Sequence, residues 1–269
     1  LKACKQQGFS SIDLLEHIKH FGEASLLVIG DSIVDQYVAC DALGMSAEAP
    51  VIVARELEAK NHVGGASIVA LHTKALGAQC NYISVVGYDQ NATLIANELD
   101  SWNVGHDLIE DNTRPTTLKI RYMVEKQKIF RVSRLKDHGI NQMVEEKIIS
   151  KIKKQSPFVN GILVSDFVYG VITPKVLKVI REQAKKHHLK IFGDLQCSSQ
   201  VGNISKFKNF HLICPTEREA RIALNTKDEG VEWVAKNLME ETGTQNLIMK
   251  LGAEGFIAYF TEIDGFINR

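Results

Sequence analysis

A regular alternation of short apolar runs with longer segments of helical period constrains this chain more than any other feature. Residues 26–29, 82–86 and 161–164 are apolar or nearly so throughout, as strands covered on both faces must be. Between and after them, residues 65–76, 93–102, 144–152, 174–187, 217–224 and 231–241 carry apolar side chains at helical spacing, and Pro174 stands at a favoured first helical position. Further strands are expected at 189–192, 212–214 and 247–250, with a glycine-marked turn leading into 256–259. Such alternation predicts a mainly parallel α/β sheet with helices on both faces. The length of 269 residues suits one such domain.

Two segments break the pattern. Short strands at 38–40 and 51–57, and a hairpin over 117–132 around a polar turn at 125–128, predict a small separate sheet. At the N-terminus Ile12, Leu14, Leu15, Ile18 and Phe21 predict an amphipathic helix ended by Gly22. The expected organisation is an extension over 1–24 and a domain over 25–269, with the small sheet drawn from about 36–58 and 116–133. The first residue is Leu1, so the original N-terminus is expected to be missing or processed.

Composition narrows the function classes. Lys plus Arg and Asp plus Glu both number 32, whereas duplex binding favours a basic excess. Nucleic acid is therefore not an expected partner, and the basic stretches at 151–154 and 185–188 read as solvated helix faces. The five cysteines, Cys4, Cys40, Cys80, Cys197 and Cys214, form no Cys-x-x-Cys pair, which fits reduced thiols in a cytoplasmic protein and argues against zinc. No apolar run is long enough to span a bilayer, and no secretory signal is evident.

Parallel sheets bind ligands at the carboxyl ends of their strands. The residues to weigh are therefore Asp31, Asp166, Asp194, the segment 215–219 and the segment 250–255. Gly30-Asp31-Ser32-Ile33-Val34-Asp35 offers two carboxylates for sugar hydroxyls, or simple turn chemistry. Gly64-Gly65 opens a helix, which permits close ligand approach or only an ordinary loop. Glu219, on the first turn of a helix after Cys214-Pro215-Thr216, could order water around magnesium or merely stabilise the helix terminus. Lys250-Leu251-Gly252-Ala253-Glu254-Gly255 could turn its amides toward phosphates or begin a hairpin. The histidines form no convincing metal site, and no Gly-x-Ser-x-Gly elbow is present.

The order of these segments, together with Met45-Ser46-Ala47-Glu48-Ala49-Pro50 and Val164-Ser165-Asp166-Phe167, resembles ribokinase-type carbohydrate kinases. Among them it is most similar to the heptose 7-phosphate kinase half of bifunctional ADP-heptose synthases. The resemblance covers roughly residues 25–260. It implies a ribokinase-like sheet, a small β-sheet lid that closes over the sugar and is a possible homodimer contact, and phosphorylation of a sugar or sugar phosphate with ATP and Mg2+. It implies sugar contacts at Asp35, Gly64 and Gly65, with Asp31 and Glu48 as further candidates. Asp194, Thr216, Glu219, Lys250, Gly252 and Gly255 fall on the nucleotide side, with Glu219 as the magnesium-linked residue.

Several positions depart from the family pattern. Ile68 replaces an Asn after the glycine pair, and Thr216 replaces the Asn of Asn-x-x-Glu. Tyr169 replaces a Lys, and Asp194-Leu195-Gln196 replaces Asp-Pro-Lys. The two absent lysines weigh against unaltered heptose-phosphate specificity, because cations are natural phosphate partners. The family's Gly-Ala-Gly-Asp, which supplies an anion hole and the base, does not occur before Arg269. The base is therefore expected beyond Arg269, with little phosphoryl transfer by the chain as it stands. A non-catalytic carbohydrate or nucleotide sensor is the alternative, and a nicotinamide oxidoreductase, which would need the absent glycine fingerprint, comes third.

Overall fold

A computed structural model describes residues 8, 10–197, 201–260 and 263–268, the last segment as backbone alone. Cys4, the start of the expected N-terminal extension and Arg269 lie outside the described residues. Helix α1 (Ser11–Lys19) is opened by a reciprocal capping box between Ser10 and Asp13. It buries no residue, and Ile12, Leu15 and Ile18 are all exposed, so the apolar stripe seen in sequence is not covered.

The chain continues through β1 (Ser25–Gly30), β2 (Ser32–Met45), β3 (Ile52–Gly65), α2 (Ala66–Ala75), β4 (Gln79–Val86), α3 (Gln90–Ser101) and β5 (Gly105–Glu110). There follow β6 (Thr117–Val124), β7 (Gln127–Arg134), α4 (Gln142–Gln155), β8 (Gly161–Asp166), α5 (Pro174–His187) and β9 (Lys190–Leu195). The last elements are β10 (Leu212–Ile213), α6 (Glu217–Leu224), α7 (Val231–Thr242), β11 (Asn246–Lys250), β12 (Phe256–Phe260) and β13 (Ile263–Asn268).

Among the described residues nine strands form one sheet in the order β13-β12-β11-β10-β9-β8-β1-β4-β5. The pairs from β11 to β5 are parallel, while β12 and β13 run antiparallel at one edge. Strand β1 explains why its run is apolar throughout. Leu27 and Ile29 join a core with Ile148, Val176, Ile180 and Val234, under α4, α5 and α7. Val28 faces the other way, into a second core with Ala66, Ala70, Ile95 and Leu99 of α2 and α3.

The small sheet has the order β3-β2-β6-β7 and grows directly from the end of β1. Its first two strands are much longer than the expected 38–40 and 51–57. They start one residue after Asp31 and end in Gly64 and Gly65, so the segment 32–35 is strand and not turn. Polar residues such as Gln36, Asn61 and Lys60 masked these strands in sequence, because an antiparallel ladder with open faces accepts them. The hairpin turn holds only Glu125 and Lys126, with Glu125 in the left-handed region. Strand β5 was not anticipated. It is the sheet edge and buries only Ile109 fully, which leaves no continuous apolar run to read.

Among the described glycines, Gly30 leaves the least room for a side chain. A Cβ there would overlap the Ser165 carbonyl and lie 2.7 Å from the Ala66 Cβ. Gly30→Ala is therefore expected to destabilise the chain by about 3 kcal/mol, measured by urea unfolding; a change below 1 kcal/mol would contradict this packing.

Candidate active site

The carboxyl ends of β1, β8, β9, β10 and β11 lie side by side along one edge of the large sheet. They carry in turn Asp31, Asp166, Asp194, Thr216 and Lys250, over a span of roughly 19 Å at ordinary strand spacing. The lid rises from the β1 end of this row.

At that end, Asp35 on β2 forms an ion pair with Arg121 on β6. Gly64 leaves the room for it, since a Cβ there would overlap the Asp35 carboxylate. Gly65 has φ +63 and closes the turn into α2, so it is required by the backbone whatever it binds. The register sets Asp35 beside Lys119 and Tyr37 beside Arg121, so all four share one face of the lid. The Arg121 guanidinium lies 5.2 Å from the Tyr37 ring centroid. Lys119 is buried, its ammonium 5.2 Å from the centroids of both Phe167 and Tyr169. Arg131 is the cross-strand partner of Arg121 on the same face.

Two expected sugar contacts are placed differently. Asp31 is only 2% exposed, and its carboxylate accepts the amides of Phe167 (2.7 Å), Val171 (3.3 Å) and Tyr169 (3.4 Å). It is committed to holding the turn after β8. Burial first, and the nearby Asp166 charge second, push its carboxyl up to about 7 against the pull of the three amides. Glu48 is exposed at the far tip of the lid, roughly 30 Å along β2 from Asp35. Its distance in sequence from Asp35 is not folded back.

At the other end, Lys250 Nζ lies 2.6 Å from Asp194 Oδ1. Burial pushes the Asp194 carboxyl up, and Lys250 opposes the shift. Thr216 bridges to Lys250 through the backbone and caps α6. Glu219 completes that capping box. One oxygen accepts the Thr216 amide at 2.8 Å and the other the Cys197 amide at 3.0 Å. Both Glu219 oxygens thus accept backbone amides, and no group of three or more His, Cys, Asp or Glu fit to hold a metal occurs among the described residues. Gly252, with φ +66, has open space around it, while Gly255, with φ +99, closes the β11–β12 turn.

Comparison with known proteins places this arrangement. The profile of the pfkB family carbohydrate kinases matches residues 23–267. The chain belongs to the pfkB carbohydrate kinase family. It is 32% identical over 241 residues to the bifunctional protein HldE of Campylobacter jejuni strain RM1221, covering 88% of this chain and 50% of that protein. The same-named protein of Geobacter sulfurreducens is 30% identical, with 88% and 48% covered. The chain thus spans about half the length of the curated relatives it matches. Among solved structures, Escherichia coli phosphofructokinase-2 in complex with fructose-6-phosphate superposes with TM-score 0.71 at 15% identity, covering 91% of this chain and 78% of that one. Ribokinase from Giardia lamblia gives 0.71 at 14%, with 91% and 79% covered. At such identities the likeness shows the fold, which is ribokinase-like.

Within this pfkB frame the cations escaped the sequence reading. Lys119 and Arg121 alternate in a predicted strand, and that two-residue spacing was the available signal. Arg114 was missed as well. It is buried and donates to Asp111 (2.9 Å), the Tyr169 carbonyl (2.7 Å) and the His138 carbonyl (2.7 Å). One guanidinium thereby ties the segment entering β6, the segment leaving β7 and the turn after β8. Burial acts against the Asp111 charge, but the Thr113 bonds and Arg114 outweigh it and hold its carboxyl below the usual range.

Two outcomes follow from these groups. Arg114→Ala strands the Asp111 charge and is expected to cost about 3–5 kcal/mol. Hydrogen exchange is expected to rise first at 111–116 and 135–141; an unchanged pattern there would refute the tie. For Asp31, a folded-state pKa raised above the unfolded value gives stability that is full below about pH 4 and lost as pH rises through about 7. Urea unfolding at pH 5 and pH 8 should show a loss on the order of a few kcal/mol that Asp31→Asn removes. Equal losses in parent and variant would exclude Asp31 as its source.

Proposed function

We propose that this chain forms the substrate frame of an ATP-dependent kinase for a phosphorylated sugar, with a heptose 7-phosphate as the leading candidate. The observation that carries the reading is the Asp35–Arg121 pair at the base of the lid. A carboxylate suited to sugar hydroxyls stands there beside a guanidinium suited to a phosphate. Lys119 and Arg131 on the same lid face add positive charge, which offsets the lysines absent at Tyr169 and Gln196. The family membership and the HldE relatives support the kinase class.

In this reading Asp35 orients the sugar and the Gly64–Gly65 backbone lines its pocket. Lys250, with Asp194 and the turn through Gly252, faces the nucleotide phosphates. Lid closure excludes the water that would compete for the transferred phosphoryl group. Magnesium enters with the nucleotide, and no described side chain is assigned to it directly. A cytoplasmic location and a dimer formed through the lid belong to the same proposal. A second reading, a non-catalytic sensor, draws on the departures at Ile68, Thr216 and Tyr169 and on Glu219, whose two oxygens accept the Thr216 and Cys197 amides.

Calorimetric titration tests the substrate class. Sugar phosphates, heptose 7-phosphate among them, are expected to bind more tightly than the matching free sugars. Arg121→Ala should weaken the phosphorylated ligands at least tenfold and leave the free sugars nearly unchanged, while Asp35→Asn weakens both. Equal affinity for phosphorylated and free sugars would defeat the reading. Sugar-dependent ADP release from ATP, measured on a protein extended past Arg269 to include the expected base, separates kinase from sensor.

A further inference from the structure

The opposite edge of the large sheet carries a second concentration of charge. At the amino ends of β9, β10 and β11 lies a cavity of about 610 Å³, lined by Arg181, Lys185, His188, Lys190, His211, Asn209 and Gln245 among others. Its ten lining residues include three permanent cations and two histidines, and none is an Asp or Glu. The remaining polar groups, Asn209 and Gln245, are neutral hydrogen-bonding amides.

In a chain whose formal charges cancel, a lining of cations without a carboxylate is locally unbalanced. Of the lysines nearby, Lys178 lies 4.0 Å from Glu182 and Lys208 lies 2.6 Å from Glu241, while the outward Lys186 has no ion pair among the described residues. Among the described residues Arg181, Lys185 and Lys190 have no ion-pair partner. The helix dipole accounts for Lys185 at the end of α5. It does not account for Lys190, which begins β9, or for His211, which precedes β10. Helix α5 and strand β9 therefore converge their permanent cations on one concavity, with His211 beside them, and among the described residues no carboxylate lines it.

We propose that this cavity is a binding site for a small multivalent anion of the phosphate-ester or polyphosphate class, separate from the candidate active site. The concave lining favours a compact anion over a polymer, which tracks an extended basic stripe. Arg181 supplies a fork for two phosphate oxygens, and Lys185 and Lys190 act as point charges. The side-chain amides of Asn209 and Gln245 add neutral donors. Strand β9 begins at Lys190 and carries Asp194, the partner of Lys250, so one strand links the two sites. The proposal does not rest on the kinase reading.

Pyrophosphate titrated into the whole chain tests it. Saturable binding is expected, with Arg181→Glu/Lys190→Glu weakening it at least tenfold and Lys250→Ala leaving it in place. The milder pair Arg181→Gln/Lys190→Gln serves if charge reversal prevents folding, and should also weaken binding. Absence of saturable binding, binding unaffected by either double variant, or loss on Lys250→Ala alone would overturn the proposal. So would tighter, steeply salt-dependent binding of a single-stranded RNA at the same residues, which would indicate a polymeric partner.

Discussion

The buried residue Asp31 is the point on which the fold's functional edge depends. Its amide donates to the Ser165 carbonyl (3.3 Å), its carbonyl accepts the Ala66 amide (2.9 Å), and its carboxylate gathers three amides of the turn after β8. One residue therefore fixes the end of β1, the start of α2 and the course of residues 167–171. Beneath it, Ser32, Tyr82 and Ser84 join their hydroxyls in a buried network that ends on the Gly30 carbonyl (2.6 Å). Burial without such partners would be costly for every one of these groups.

The lid inherits its placement from this junction. Two of its four connections to the large sheet are immediate, at Asp31–Ser32 and Gly65–Ala66. The other two are loops, and Arg114 draws both onto the Tyr169 carbonyl. Since Asp31 holds the same turn from below, all four connections meet one short stretch of backbone. This brings the Asp35, Lys119 and Arg121 face of the lid against Phe167 and Tyr169. The charged cluster proposed to recognise substrate thus sits on a small sheet whose orientation is set by buried polar bonds, with little apolar packing between lid and turn beyond Ile33, Phe167 and Tyr169.

How much was legible in sequence depended on how local the signal was. Helices α5 and α6 were read to the residue, because Thr173 with Pro174 and the Thr216–Glu219 capping box announce their starts. Buried strands were legible because both their faces are apolar. Strand β5 and the long lid strands were not, since each has an open face and draws its identity from a neighbour. Glu48 and Asp31 illustrate the same limit in the site. Motif order brought them to attention, but only coordinates show one at the lid tip and the other beneath a turn.

By itself the sequence determined the α/β class, the row of strand-end residues and the helix caps. These follow from hydrophobic period and short-range hydrogen bonding, which act within a few residues along the chain. Tertiary structure decided which charges meet: Asp35 with Arg121 across 86 positions, Asp194 with Lys250 across 56, and Arg114 with carbonyls from two other segments. Strand register and burial make those choices. A one-residue slip would turn each side chain to the opposite face, and nothing local in the sequence reports the partner.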